Sequence, residues 1–121
     1  MADFPSGSSN IAVAAVTADA VYLSLHTADP GTTGADEVSG GSYARQAITW
    51  NAASSGYQTS SDGQTFTGMP TVSGDLWLGL WGASSGGTFY WGDPDSAVTG
   101  PVVAGNSVVF LTGAVQAGPI T

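Results

Sequence analysis

Apolar residues in this chain come in short alternating bursts, each closed by glycine or a cluster of small polar residues, and that spacing limits what it can fold into. The strongest burst is Asp75 to Trp81. Leu76, Leu78 and Leu80 point one way, and Trp77, Gly79 and Trp81 point the other. Two apolar faces imply a central strand, or one whose outer face is covered. Val21 to Thr27 alternates as a half-buried strand, with Val21, Leu23 and Leu25 on one face and Tyr22, Ser24 and His26 on the other. Further strands are expected in Tyr43 to Trp50, weakly near Tyr57, in Gln64 to Thr67, in Thr88 to Trp91, at Val102 and Val103, in Ser107 to Thr112 and in Ala114 to Gln116. Turn formers fill Ala28 to Ser42, Gly68 to Pro70, Ser84 to Gly87 and Asp93 to Gly100.

Seven to nine short strands between Gly-rich turns predict an all-β fold. The expected form is a single-domain antiparallel β-sandwich, jelly-roll-like, or a small barrel. The domain spans residues 21–121, with residues 1–20 as an N-terminal arm or short helix. Met1 to Asn10 reads as an arm. Ile11 to Ala20 is apolar but too short for its period to separate helix from strand.

Charge narrows the function. Nine acidic residues face one cation, Arg45, so the formal net charge is −8 although only 8% of residues are charged. A single Arg cannot displace the counterions of nucleic acid, nor hold an anionic membrane surface. No apolar run approaches the roughly 20 residues that span a bilayer, and no positive region marks a signal peptide. Hydrophobic residues make up 42%, which separates the chain from the disordered class. Without Cys there are no disulfides or thiolate chemistry.

Gly82-Ala83-Ser84-Ser85-Gly86 matches the letter of a nucleophile elbow, but it lies between two strands and reads as a hairpin turn. His26 is the sole His, so a His-based metal site lacks a second ligand; a hydrogen bond pinning the start of the long loop is its expected role. The acids of Asp29 to Glu37 and of Asp93-Pro94-Asp95 follow no EF-hand spacing and are expected to cap turns. No cofactor, metal or catalytic residue is expected. Arg45 shares a strand face with Tyr43 and follows the loop carrying Asp36 and Glu37, so it is expected to tie that loop down through one of those carboxylates. Trp77, Trp81, Trp91, Tyr90 and Tyr22 exceed what a small core comfortably holds, and an exposed aromatic interface is expected among them.

The stretch Leu25-His-Thr-Ala-Asp-Pro-Gly-Thr-Thr-Gly34, followed by Glu37-Val-Ser-Gly-Gly-Ser-Tyr-Ala-Arg45, resembles a family of small tailed-bacteriophage structural proteins. Gly79-Leu80-Trp81 and Gly86-Gly87-Thr88-Phe89-Tyr90 continue the resemblance, which covers roughly residues 21–111. Such proteins are variously labelled tail fibre, minor tail or head decoration proteins. The resemblance implies a β-rich, non-enzymatic virion component assembled in the bacterial cytoplasm. It implies a loop-stapling set of Glu37, Tyr43 and Arg45, with His26 and Asp29. The chain departs from the family's pattern at its Gly/Ser-rich N-terminus. Expected partners are other virion proteins, capsid or tail, and further copies of the chain. A carbohydrate- or host-receptor-binding module using the Trp/Tyr cluster is the alternative.

Overall fold

The segment with two apolar faces lies inside a sheet and is covered on both sides. The computed structural model describes residues 6–118. One helix, α1 (Ser6–Thr17), precedes eight strands: β1 (Tyr22–His26), β2 (Gln46–Ala47), β3 (Gln58–Thr59), β4 (Gln64–Phe66), β5 (Trp77–Trp81), β6 (Phe89–Gly92), β7 (Val108–Phe110) and β8 (Gln116–Ala117). The main sheet is antiparallel in the order β2-β1-β5-β6, and two ribbons, β3-β8 and β4-β7, complete the strands. The fold is all-β with open sheets, so the sandwich alternative holds and the closed barrel does not.

Register explains the core. Leu23 lies opposite Leu80 and Leu25 opposite Leu78, so one face of the sheet presents four leucines. They share a cluster with Leu76, Phe66 of β4, Val108 and Phe110 of β7, and Ala117 of β8. Each fully buried leucine or phenylalanine contributes about 2 kcal/mol over its exposed state. The ribbons alternate as antiparallel strands should: Gln64 and Phe66 point inward with Val108 and Phe110, while Thr65 and Val109 point out.

The other face of β1 departs from the half-buried pattern expected of it. Ser24 and His26 are fully buried, because residues 28–42 fold back over that face. The backbone shows how. Past the short β2, the free edge of β1 is completed by the loop: Val38 N–H donates to Leu25 O, Thr27 N–H donates to Asp36 O, and His26 bridges Glu37. Gly79 makes the close cover possible, since a Cβ there would lie 2.6 Å from both His26 Nε2 and Ser24 Oγ.

Of the arm or short helix expected over residues 1–20, the helix holds, and it begins within the stretch read as an arm. Residues 1–5 lie outside the described residues, but from Ser6 onward the chain is helical. Ser9, Val13, Thr17 and Ala20 are buried at four- and three-residue steps, whereas Ile11 is 74% exposed. The stripe facing the domain is thus half polar. Thr17 hydrogen-bonds the Gln58 side chain, and Asn10 Oδ1 accepts from Gly56 N–H at 2.7 Å. Apolar periodicity alone misses such a stripe.

Candidate functional site

Arg45 lies just before β2 and reaches across the covered face of the sheet. Its Nε and Nη2 donate to Glu37 Oε2 and Oε1, both at 2.9 Å. Its Nη1 donates to the carbonyls of Ala83 at 2.9 Å and Gly86 at 2.7 Å, in the β5–β6 turn. The guanidinium carbon stands 3.7 Å from the Trp81 ring centroid. One planar fork therefore joins the long loop, the hairpin turn and the central strand, and the Arg45 side chain is only 7% exposed. Of the two acids expected to pair with Arg45, Glu37 does so. Asp36 takes a left-handed backbone conformation at φ 61°, and its carbonyl, not its carboxylate, accepts from Thr27 N–H. Asp29 stays local: its Oδ1 accepts from Gly31 N–H at 2.9 Å.

Tyr43 closes the other side of Glu37. Its hydroxyl donates to Glu37 Oε2 at 2.8 Å and accepts from Leu25 N–H at 3.0 Å, while its ring stacks on Phe66. Burial opposes ionisation of Glu37, but the hydrogen bonds from Arg45 and Tyr43 outweigh it and hold the carboxyl below its ordinary range. Burial and the neighbouring carboxylate push the Tyr43 hydroxyl well above its ordinary value.

A second polar chain runs beneath the loop. Trp81 Nε1–H donates to Ser24 Oγ at 2.9 Å, Ser24 Oγ lies 2.7 Å from His26 Nε2, and His26 Nδ1 lies 2.7 Å from the Ala35 carbonyl. A carbonyl only accepts, so Nδ1 carries the proton. Burial, opposed by the Ala35 hydrogen bond and by Glu37, lowers the His26 pKa, leaving a neutral ring whose Nε2 accepts from Ser24 O–H. Both ring nitrogens are thereby engaged. Ser84 sits on the exposed β5–β6 turn, and the pair needed for nucleophilic attack is not assembled there. Ser24 was invisible as a partner in the sequence, although it stands two residues before the only His on the same strand face.

The aromatic set divides. Trp81 is buried, with Phe89 edge-on at 5.0 Å, so it is no surface residue. Trp77 and Tyr22 are half-buried, and Trp77 Nε1–H donates to Pro94 O at 3.3 Å. Tyr90 is 39% exposed. Trp91 packs partly on the core and lines a groove of about 650 Å³ with Asp93, Asp95 and Gln116. Asp93 caps its own turn, its Oδ1 accepting from Asp95 N–H. Among the described residues no three His, Cys, Asp or Glu side chains cluster as metal ligands, and no helix is long and apolar enough to cross a membrane.

The remaining surface of note is the outer face of the β4–β7 ribbon. Gly63, Thr65 and Thr67 on one strand line and Ser107, Val109 and Leu111 on the other are all exposed, with Val109 at 56% and Leu111 at 73%. Sequence reasoning placed both strands but passed over this face; its signal is an alternation in which the outward positions carry no charge.

No curated protein and no solved structure matches the chain. Residues 10–118, which include every strand, match the family described as Podophage GP4 fiber I protein gp80. The chain belongs to that family of phage fibre proteins.

Proposed function

We propose that this protein is a structural subunit of a phage fibre that works by binding other virion subunits. The family's description speaks for a fibre location over capsid decoration. The observation that carries the reading is the outer face of the β4–β7 ribbon: a solvent-facing sheet surface is ordinarily polar, yet here it presents Val109 and Leu111 among Thr, Ser and Gly. Such a face suits a surface covered in the assembled particle. Arg45 serves this role indirectly. As a staple joining residues 28–42 to the β5–β6 turn, it keeps a Gly-rich chain rigid without disulfides. Mass spectrometry of purified virions tests the proposal by detecting the chain, and Val109→Asp lowers its incorporation while the soluble protein keeps its melting temperature. Virions that lack the chain refute the reading.

A second reading is supported by the groove beside β6. Trp91 lines it together with Asp93, Asp95 and Gln116, and an aromatic ring beside hydrogen-bonding side chains suits a neutral saccharide. Saturable binding of neutral oligosaccharides, lost in Asp95→Ala, supports it; binding that survives that change refutes it.

A further inference from the structure

β6 is an edge strand, the last in the order β2-β1-β5-β6. Trp91 lies opposite Leu80, and Asp93 N–H donates to Leu78 O. Residues between such hydrogen-bonded positions of an antiparallel pair turn their N–H and C=O away from the partner, so those of Gly92 face off the sheet. Tyr90 is the extra residue of a bulge, because Trp81 pairs with Phe89 and Leu80 with Trp91, and the extra residue of a bulge is left out of the ladder. Among the described residues, none outside β5 hydrogen-bonds the backbone of either one.

Beside this edge lies the groove of about 650 Å³, whose lining includes the buried Leu78 and Phe110. Trp91 and Gly118 also line a smaller pocket of about 130 Å³ with Val13 and Val16 of α1 and Leu80, so the depression continues past Trp91 into apolar surroundings. At the other end Asp93 and Asp95 bring two carboxylates to the groove. No cation of this chain is free to neutralise them: Arg45, the only Lys or Arg, is committed to Glu37 and to the carbonyls of Ala83 and Gly86.

Each feature selects a different part of one ligand. Free amides and carbonyls along a strand edge pair with another main chain, and an apolar groove beside that edge takes alternate side chains of an added strand. Paired carboxylates attract Lys or Arg. A saccharide satisfies the ring and the carboxylates but has nothing to fill the pocket of Val13, Val16 and Leu80. A second copy of this chain has no free cation to bring.

We infer that the β6 edge and the groove beside it receive an extended strand of a different virion protein. That strand carries apolar side chains at alternate positions and a Lys or Arg at the end beside Asp93 and Asp95. The inference deepens the fibre-subunit reading by giving the chemistry of a partner, and it rests on that reading for its setting. β6 has four residues, about 13 Å of edge. So short and bulged an edge resists indiscriminate strand addition, which leaves selection to the groove and the acids.

A blocked synthetic peptide, Lys-Val-Thr-Val-Thr-Val, titrated into the purified full chain and followed by amide shifts, tests the recognition. The expected result is saturable change centred on residues 90–95 and 114–118, with a dissociation constant that rises several-fold between about 0.02 and 0.5 M NaCl. Glu in place of the peptide's Lys, or Asp95→Asn in the protein, weakens binding several-fold, and methylating alternate peptide amides abolishes it. Ile11→Asp, exposed and outside both pockets, leaves it unchanged. No saturable change, change elsewhere, equal binding of the Glu or methylated peptide, or the same residues answering only to a neutral oligosaccharide each overturns the inference. In purified virions, a photo-cross-linker in place of Tyr90 should capture a Lys- or Arg-bearing segment of another protein. Capture of a second copy, or of nothing, in virions that contain the chain defeats this inference alone, whereas virions without the chain defeat the fibre reading.

Discussion

The Arg45 guanidinium stacks 3.7 Å from the centroid of the Trp81 ring, so the only Lys or Arg side chain of an acidic protein lies flat on its most buried tryptophan. The stacking fixes the plane of the fork. In that plane the donors meet both oxygens of Glu37 and the carbonyls of Ala83 and Gly86. Loop, turn and strand are thereby held by one side chain, whose removal takes the guanidinium donors from Glu37 and from the carbonyls of Ala83 and Gly86 and uncovers the Trp81 ring.

Arg45→Ala should therefore destabilise the fold by about 3 kcal/mol, the range for breaking a largely buried pair from one side. Arg45→Lys keeps the charge but loses the fork and most of the stacking, and should recover less than half of that. Urea unfolding midpoints measure both. A wild-type midpoint in Arg45→Ala would show that the loop is held by other contacts.

Stability should fall with acid in two stages. His26 has a folded pKa lowered from 6.5 and Glu37 one lowered from 4.5. In both cases the unfolded chain takes up the proton first, so stability rises with pH across each window. The loss begins as pH drops below 6.5 and continues below 4.5 as Glu37 is protonated. Unfolding midpoints taken from pH 8 to pH 3 show the trend, and Glu37→Gln should flatten its lower part. A midpoint constant from pH 8 to pH 5 contradicts a neutral, buried His26.

Ser24→Ala should cost about 2–4 kcal/mol, because it strands two buried groups at once, the Trp81 N–H and the His26 Nε2. Nitrogen shifts of the His26 ring provide an independent check, since they should report a neutral Nδ1–H tautomer at pH 7. A protonated ring, or the Nε2–H tautomer, is incompatible with the Trp81–Ser24–His26–Ala35 chain.

Two glycines should respond differently to alanine. Gly79→Ala forces a methyl to 2.6 Å from His26 and Ser24, a clash worth about 3 kcal/mol or more in a packed interior. Gly86→Ala meets no atom within 4 Å but sits at φ +60°, so its cost is conformational, about 1 kcal/mol. Thermal unfolding that ranks Gly86→Ala as the more damaging would contradict this packing.

Period and punctuation were enough to read much of this fold from sequence. Alternation located β1, β4, β5, β6 and β7, because the side-chain period of a strand is visible in any chain whose core is apolar. The Gly-rich turns showed where each strand stops. Proximity also named Glu37 and Asp36 as the acids within reach of Arg45. The helix stayed ambiguous for a physical reason: its inward stripe runs through Ser9 and Thr17, and polar atoms satisfied at an interface carry no apolar signature.

Local sequence could not decide what covers each face. Whether Trp81 is surface or core depends on residues 28–42 folding over β1 and β5. The carbonyls that bind Arg45 lie 38 and 41 residues away from it, joined only by the strand order β2-β1-β5-β6. The same order places His26 beneath Ala35 and beside Ser24, and leaves Val109 and Leu111 outside. The alternating pattern thus determined that the chain would form short antiparallel strands around an aliphatic core. Only the tertiary structure decided which polar groups meet and which apolar face stays uncovered, since those depend on contacts between segments that no local pattern encodes.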